Sequence, residues 1–416
     1  MRTVLRSPRL RRILSAYVVN RLGTFFGFIA LSVSVYDHTH SAIAVAALLF
    51  ANQALPAFAV PALVARVESS RRGRELSGLY LVEAVVTAAL AVLIGGSFAL
   101  APILVLAAVD GTAALAASAL LRAEVARVAR AELAPDGDAE AAVEAEREGN
   151  AALNVGFSLT FVTGPAIGGV IVAAAGASTA LFLDVGSFVI CALMLLDLHP
   201  RVTDAEEESV AGRLAAAWRH INETPRLRTL LVAELVALIL FETGGPIEVA
   251  YAKSTLHAGD RGYGLLLTTW GLGAVVGSLL FARFVGRELA ALLGCGTLAI
   301  GFAYAGFGVA HTIEVACAVA FVGGIGNGLQ WPSMISIVQK LTPQRLQGRM
   351  MGALESLGAL ALAIGLPLGG VLATVTSPRT AFLVIGSAAM AMTVVLVPAA
   401  RLGRLPGNTQ GALEGD

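Results

Sequence analysis

Several charged side chains stand inside long apolar runs of the sequence, and four of them are candidates for chemistry. Arg21 and Asp110 lie in the first half of the chain, and Glu234 and Glu242 lie in the second. A charge at the centre of a membrane helix costs roughly 2.5–3.5 kcal/mol, so it usually serves an ion pair, a proton step or a ligand. Glu234 and Glu242 share a helix face approximately. We expect them to carry protons or hold a cationic ligand, unless Glu242, like Glu248, only reaches interfacial water.

The first half of the chain contains a candidate ion pair. Arg21 and Asp110 are its deepest opposite charges, and a ligand or a proton could open a pair between them. Glu83 is a competing partner for Arg21, and a static structural pair is the alternative to a working one. Asp184, in another apolar run, is expected to be structural.

A polar and aromatic group follows a glycine-rich stretch late in the chain. Asn327 and Gln330 are three residues apart and therefore share a helix face. Trp331 beside them is too deep for an interfacial belt. Two amides with an aromatic ring suit an amphipathic organic ligand better than a bare ion; ordinary core packing is the alternative. The stretch 242–246, Glu-Thr-Gly-Gly-Pro, is expected to unwind, as membrane helices do where they line a cavity.

The stretch GPAIGG at 164–169 is a candidate hinge. Gly164 and Gly168 form a GxxxG pair that lets two helices approach closely. Pro165 removes a backbone donor and permits a bend, and Gly169 adds a second small residue at the end. We expect a hinge or seal between two access states, with plain helix packing as the alternative.

Two basic segments could lock one face of the molecule. Arg71 and Arg72 belong to the first, and residues 283–287 carry the second. They could pair with acidic helix ends, or they could serve only to hold their loops on one side of the membrane.

The elements that must position these residues are membrane helices. The chain of 416 residues is 56% hydrophobic and 14% charged with no net charge, whereas soluble domains carry about 25% charged residues. This composition excludes a soluble enzyme, a disordered protein and a nucleic-acid binder. A span needs about 20 apolar residues, which predicts twelve, at about 13–36, 42–65, 76–96, 99–121, 151–174, 178–198, 227–251, 262–282, 289–310, 313–338, 350–374 and 380–400.

The distribution of basic residues predicts the orientation of these spans. With the N-terminus inside, 25 of the 29 Lys and Arg residues fall in inside segments and 3 in outside loops. Positive residues concentrate on the cytoplasmic side of membrane proteins. Both termini are therefore expected to be cytoplasmic.

The longest polar break divides the spans into two sets of six. We expect a six-helix bundle at 1–198, a cytoplasmic linker at 199–226, a second bundle at 227–400 and a cytoplasmic tail at 401–416. GPAIGG at 164–169 is echoed by GLPLGG at 365–370, which indicates an internal duplication. Repeats of this kind place a substrate site near the bilayer midplane, between the halves.

These motifs resemble those of the major facilitator superfamily. GPAIGG resembles its fifth-helix antiporter motif, and TPQRLQGRMMG at 342–352 and LFLDVGSF at 181–188 are similar to its drug and siderophore exporter branch. The resemblance covers nearly the whole chain. It implies an all-α membrane protein with twelve transmembrane helices in two pseudo-symmetric six-helix bundles. It also implies that the first, fourth, seventh and tenth helices line the cavity, so that Arg21 and Asp110 face it.

The chain departs from the superfamily pattern at two places. Ala107 stands where the fourth-helix motif normally has an arginine, and Ser69 stands where the loop motif normally has an aspartate. The usual proton-coupling arginine is therefore missing, which puts the standard proton relay in doubt.

The sequence as a whole favours a secondary transporter that exports a small amphipathic organic molecule, with protons as the exchanged ion. Uptake or lipid-linked transport by the same fold is the alternative, and a membrane-embedded sensor or enzyme is a weaker one. No P-loop and no Cys/His cluster is present, so we expect no ATP-driven step, no cofactor and no metal. We expect a monomer in a bacterial plasma membrane, with small molecule, protons and lipid as its partners and no nucleic acid.

Overall fold

In a computed structural model, residues 6–58, 75–134, 139–196, 218–284 and 288–401 are described. These ranges consist of helices and short connections and contain no strand. In chain order the long helices are α1 Pro8–Thr39, α2 Ala42–Phe58, α3 Glu75–Gly95, α4 Leu100–Leu133, α5 Ala139–Ala175, α6 Ala177–Met194, α7 Pro225–Thr255, α8 Gly259–Phe284, α9 Leu289–Val309, α10 Ile313–Lys340, α11 Gln347–Val375 and α12 Pro378–Ala400.

The predicted spans correspond to these helices. Within the described ranges, eleven helices are long and apolar enough to cross a membrane. The second predicted span, 42–65, begins as the apolar helix α2, and its part beyond Phe58 lies outside the described residues. Most of the predicted linker and nearly all of the predicted tail also lie outside them. The chain is a multi-pass membrane protein.

Local sequence explains where the helices begin and turn. The Ser7 hydroxyl accepts a hydrogen bond from the Leu10 amide at 3.0 Å, ahead of Pro8 in the first turn of α1. Ser377 caps α12 in the same way. A serine cap and a proline in the first turn are both usual signals of a helix N-terminus. Gly176 joins α5 to α6 with φ 86°, a conformation that favours glycine.

Helices α1–α6 pack mainly with one another, as do α7–α12. In the first group α1 packs on α5 and α6, and in the second α8 and α9 pack on α10. Glycines allow the tightest of these contacts: Gly273 and Gly277 of α8 meet Gly324 and Gly328 of α10 backbone to backbone. The two groups meet through α5 with α8 and through α2 with α11.

The two groups share a core at one end of the molecule only. We name the end where α1 begins and α12 ends the basic end, and the end where α1 ends the opposite end. At the opposite end one cluster joins residues of both groups, including Ile29 and Tyr251. At the basic end the described residues form two separate clusters, one around Leu10 and one around Leu230. Among the described residues, the two groups therefore share one core at the opposite end and have separate cores at the basic end.

Candidate functional site

A cavity of about 260 Å³ lies inside the second group of helices. Its wall combines residues of α7, α9, α10, α11 and α12, and it brings together four residues predicted from the sequence: Glu242, Asn327, Gln330 and Trp331. Phe241 and Tyr304 supply further aromatic wall. Trp331 is 38% exposed, so its ring is available to a ligand. One carboxylate, two amides and three aromatic rings suit an amphipathic organic molecule.

Glu234 lies behind this wall and is connected to it. Gln330 donates a hydrogen bond from Nε2 to Glu234 Oε1 at 2.7 Å. Glu234 is fully buried, and its second oxygen has no hydrogen-bond partner among the described residues. A buried polar atom left without a partner is costly. Glu234 can therefore influence the cavity only through Gln330 or through a change of its own protonation.

The expected unwinding of 242–246 is wrong. Helix α7 stays α-helical through this stretch, with Pro246 inside it. Pro246 leaves the Glu242 carbonyl without its donor in the helix ladder. The Tyr304 hydroxyl of α9 donates to the adjacent Phe241 carbonyl at 3.1 Å. The irregular part of α7 comes later, as a π-helix over Tyr251–Thr255.

Asp110 of α4 is held by neutral partners. The Thr87 hydroxyl of α3 donates to Oδ1 at 2.9 Å, and the Asn52 amide of α2 donates to Oδ2 at 3.4 Å. The hypothesis that Asp110 pairs with Arg21 is therefore not met in this structure. Two short polar side chains already satisfy the carboxylate where the arginine was expected. The sequence analysis missed Thr87 and Asn52.

Arg21 of α1 instead lies among aromatic rings. Its guanidinium carbon is 5.1 Å from the ring centre of Phe157 and 5.9 Å from that of Phe25. Its Nε atom is buried without a hydrogen-bond partner, and it forms no ion pair with a described carboxylate, Glu83 included. Cation–π contacts stabilise such a charge only partly.

Three acidic residues of the first group of helices form a cluster, in which Glu83 and Asp184 are buried and Asp110 is half-buried. Glu83, Asp110 and Asp184 lie close enough to act on one another's charge. Asp184 packs against Gly23 and Gly27 of α1, where any side chain would collide with its carboxylate. This contact agrees with the structural role expected for Asp184. Gly23 and Gly27 are four residues apart and therefore share one face of α1. This spacing is the sequence signal for a close contact on that face.

The GPAIGG stretch of α5 lies where the two groups of helices meet. Gly164 packs against Phe25 of α1, and Gly168 packs against Phe26. Gly169 and the Pro165 carbonyl both lie against Gly264 of α8, so a side chain at Gly264 would collide with α5. Helix α5 remains continuous through Pro165. The other predicted gating residues, Arg71 and Arg72, lie outside the described residues.

An ion bridge that the sequence analysis missed joins the two groups at the opposite end. Lys253 of α7 lies 2.6 Å from Asp37 of α1 and also contacts Asp260 of α8. The sequence places Lys253 among the three basic residues of the predicted outside loops and gives no sign of this bridge. Because Asp37 belongs to the first group and Lys253 to the second, this bridge holds the opposite end closed.

Comparisons with known proteins agree with this architecture. The nucleoside transporter NupG superposes with a TM-score of 0.74 at 11% identity, covering 95% of this chain and 100% of that one. A bacterial homologue of the human lysosomal transporter Spinster, in an inward-facing and unoccupied conformation, gives 0.64 at 13% identity, with 95% and 96% covered. Residues 230–412 match the profile of the Major Facilitator Superfamily.

Residues 230–412 of the chain therefore resemble the Major Facilitator Superfamily. Its sequence is 29% identical over 263 residues to the multidrug efflux pump Tap of Mycolicibacterium fortuitum, covering 60% of this chain and 62% of that protein. It is 27% identical to the uncharacterized MFS-type transporter YfiS of Bacillus subtilis, covering 54% and 57%. The chain thus spans about three fifths of the length of the relatives it matches. The predicted resemblance to this superfamily and the predicted all-α membrane fold are confirmed.

The departure from the superfamily pattern at Ala107 has a structural counterpart. Ala107 is fully buried, and its carbonyl accepts a hydrogen bond from the Asn52 amide at 3.2 Å. Asn52 thus binds both Ala107 and Asp110, at the place where the superfamily motif carries an arginine. No guanidinium stands at this position to pair with the acidic cluster.

Proposed function

We propose that this protein exports a small amphipathic organic molecule from the cytoplasm by alternating access, in exchange for protons. The observation that carries the proposal is the cavity that joins Glu242 to two amides and three aromatic rings. The likeness to proteins named multidrug efflux pumps supports export of organic compounds. The protein works as a monomer in a bacterial plasma membrane.

The proposal places the basic end and both termini in the cytoplasm, because of the distribution of Lys and Arg. The structure then corresponds to a state closed to the outside, with the Lys253 bridge intact. The two rocking units are the bundles 1–198 and 227–400, joined by the cytoplasmic linker 199–226, with the tail at 401–416.

We assign the cavity residues complementary roles in this cycle. Asn327 and Trp331 contact the substrate, and Glu242 exchanges a proton for a cationic or polar group of it. Gln330 contacts the substrate and, through its bond to Glu234, senses the protonation of that second carboxylate. On the other side of the pathway Arg21 and Asp110 face the substrate or the proton from the first bundle.

The gating residues follow from the contacts between the bundles. Gly164, Pro165, Gly168 and Gly169 let α5 move on α1 and α8 without losing close packing. We propose that the basic loop with Arg71 and Arg72 closes the cytoplasmic face in the other state.

Proton exchange supplies enough energy for useful export. One proton that enters down a potential of 100 mV releases about 2.3 kcal/mol. This corresponds to roughly fiftyfold accumulation of substrate outside for each proton.

The test uses purified protein in proteoliposomes with ethidium as the probe and an imposed pH gradient. We expect ethidium flux against the proton gradient, with proton movement reported by internal pyranine. Glu242→Gln should abolish pH-driven flux, whereas Glu314→Gln, at an exposed position of α10, should leave it unchanged. Wild-type protein that moves ethidium equally with and without the gradient would contradict proton exchange. No wild-type flux at all would contradict the transport proposal.

A further inference from the structure

Two arginines of the first bundle, Arg21 and Arg122, have no carboxylate partner among the residues that the structure describes. Arg122 of α4 lies close enough to Arg21 of α1 for the two positive charges to repel each other. Neither forms an ion pair in the described ranges of the chain, whereas Arg127 and Arg130 of the same helix α4 are paired with Glu124 and Glu146. The buried Nε of Arg21 is costly to leave without an acceptor, and an anion that reaches both arginines would supply one.

The guanidinium of Arg21 still has a donor to offer. Its Nε atom is buried and has no acceptor among the residues that the structure describes. The rings of Phe157 and Phe25 cover the face of the guanidinium but accept no in-plane hydrogen bond. An arginine fork is well suited to bind a carboxylate through two parallel hydrogen bonds. The site thus lacks an acceptor with a negative charge.

The arginines also lie where a transported molecule could reach them. Arg122 is exposed, and Phe157 is 36% exposed. Phe157 is one turn nearer the basic end than Phe161, and Phe161 packs against Gly271 of α8. The arginines lie on the basic side of this contact, toward the end where the described residues of the two bundles form separate clusters.

Aromatic side chains connect this place to the cavity of the second bundle. Phe157 stacks on Phe161 with 5.6 Å between ring centres. Trp270 is next to Gly271 in the chain, and its ring centre lies 5.9 Å from that of Phe241. Phe241 belongs to the cavity wall and is next to Glu242 in the chain. An aromatic molecule between the bundles could thus contact apolar surface along its length while its two ends meet opposite charges.

We propose that Arg21 and Arg122 form a subsite for a carboxylate or a similar anionic group of the transported molecule. The inference rests on the proposed function and narrows the substrate class: an aromatic compound that carries an anionic group in addition to any cationic group held by Glu242. Arg21 binds the anion from α1, Arg122 balances it from α4, and Phe157 supports the adjoining ring.

The test compares two dyes that differ in this one group: rhodamine B, which has a free carboxylate, and its ethyl ester, which does not. Binding is measured by fluorescence anisotropy on protein in nanodiscs of phosphatidylcholine, with protein-free nanodiscs subtracted. We expect wild-type protein to bind rhodamine B at least tenfold more tightly than the ester. A factor of ten corresponds to about 1.4 kcal/mol.

The variants assign this preference to the subsite. Arg21→Gln should reduce the preference to within twofold by weakening rhodamine B binding alone, and Arg122→Gln should reduce it in part. Arg130→Gln is the matched control, because it removes an α4 arginine that already has a partner in Glu146. If an anionic headgroup can occupy the site, nanodiscs with phosphatidylglycerol should weaken rhodamine B binding in wild-type protein but not in Arg21→Gln.

The outcomes separate this inference from the proposed function. Equal binding of the two dyes by wild-type protein, or a preference that survives in Arg21→Gln, would overturn the subsite alone. Binding of neither dye would count against the proposed function and the subsite together. A preference lost equally in Arg130→Gln would show that overall charge, and not the subsite, selects the dye.

Discussion

The bridge at the opposite end predicts a specific effect of a single side-chain change. Lys253 binds Asp37 across the two bundles and Asp260 within its own bundle. Asp37→Asn removes only the contact between bundles. We therefore expect Asp37→Asn to increase the time that the opposite end spends open, while the fold of each bundle stays unchanged.

The size of the effect follows from the exposure of the two partners. The Lys253 side chain is 16% exposed and that of Asp37 is 44% exposed, with 2.6 Å between their charged atoms. Fully exposed pairs contribute about 0–1 kcal/mol, because water and salt screen them. Because the Lys253 side chain is mostly buried, we place the contribution of this pair at the upper end of that range, near 1 kcal/mol. That is about a fivefold change in the ratio of open to closed states.

Cysteine labelling measures this ratio. Ser32 of α1 is fully buried at the opposite end and faces Tyr263 of α8, so Ser32→Cys is reachable from outside only when the bundles part there. Cys295 and Cys317, which are not fully buried, are first replaced by serine. The labelling rate with a charged methanethiosulfonate in intact cells should rise about fivefold in Asp37→Asn.

Asp260→Asn is the matched control for this experiment. It removes a carboxylate from the same lysine but leaves the contact between bundles in place, so the labelling rate should stay within twofold of the parent. Equal labelling rates in Asp37→Asn and the parent would refute the reasoning. An equal rise in both variants would show that the charge of Lys253, and not its contact with α1, closes this end.

Two further predictions concern packing and the cavity wall. Gly324→Ala places a methyl group against the backbone of α8 and should lower the free energy of unfolding by about 1–3 kcal/mol; Gly352→Ala, with no atom near the new methyl, should not, and equal melting temperatures would contradict this packing account. Gln330→Met removes the donor that Glu234 accepts from, so ethidium flux should fall and the protein should lose roughly 1–3 kcal/mol in stability. Unchanged flux and melting temperature in Gln330→Met would remove Gln330 from the cavity mechanism.

The sequence predicts the helices well because the membrane restricts what it can encode. Long apolar runs between polar breaks identify spans almost by length alone, and the predicted start of the span at 42–65 agrees with α2. Spacing along one helix is also reliable: Asn327 and Gln330 line one cavity as their separation of three predicts. The ends of the helices are predicted less accurately where a helix continues past its apolar run. Helix α4, for example, continues to Leu133.

Partners on different helices are harder to predict. Charge alone suggested that Arg21 pairs with Asp110, but Thr87 and Asn52 satisfy that carboxylate. Short hydroxyl and amide side chains are common in membrane helices, so nothing in the sequence distinguishes these two. The unwinding expected at Pro246 failed for a related reason. The hydroxyl that donates to the Phe241 carbonyl, next to this stretch, belongs to Tyr304, far away in the sequence.

Alternating access is tested most directly by distances at both ends of the molecule. Spin labels at Ala131 and Lys340 report the basic end across the bundles, and labels at Ala175 and His311 report the opposite end. On acidification of protein in nanodiscs, we predict that the basic-end distance shortens while the opposite-end distance lengthens. Two distances that stay constant, or that change in the same direction, would contradict a cycle in which the bundles rock about a central site.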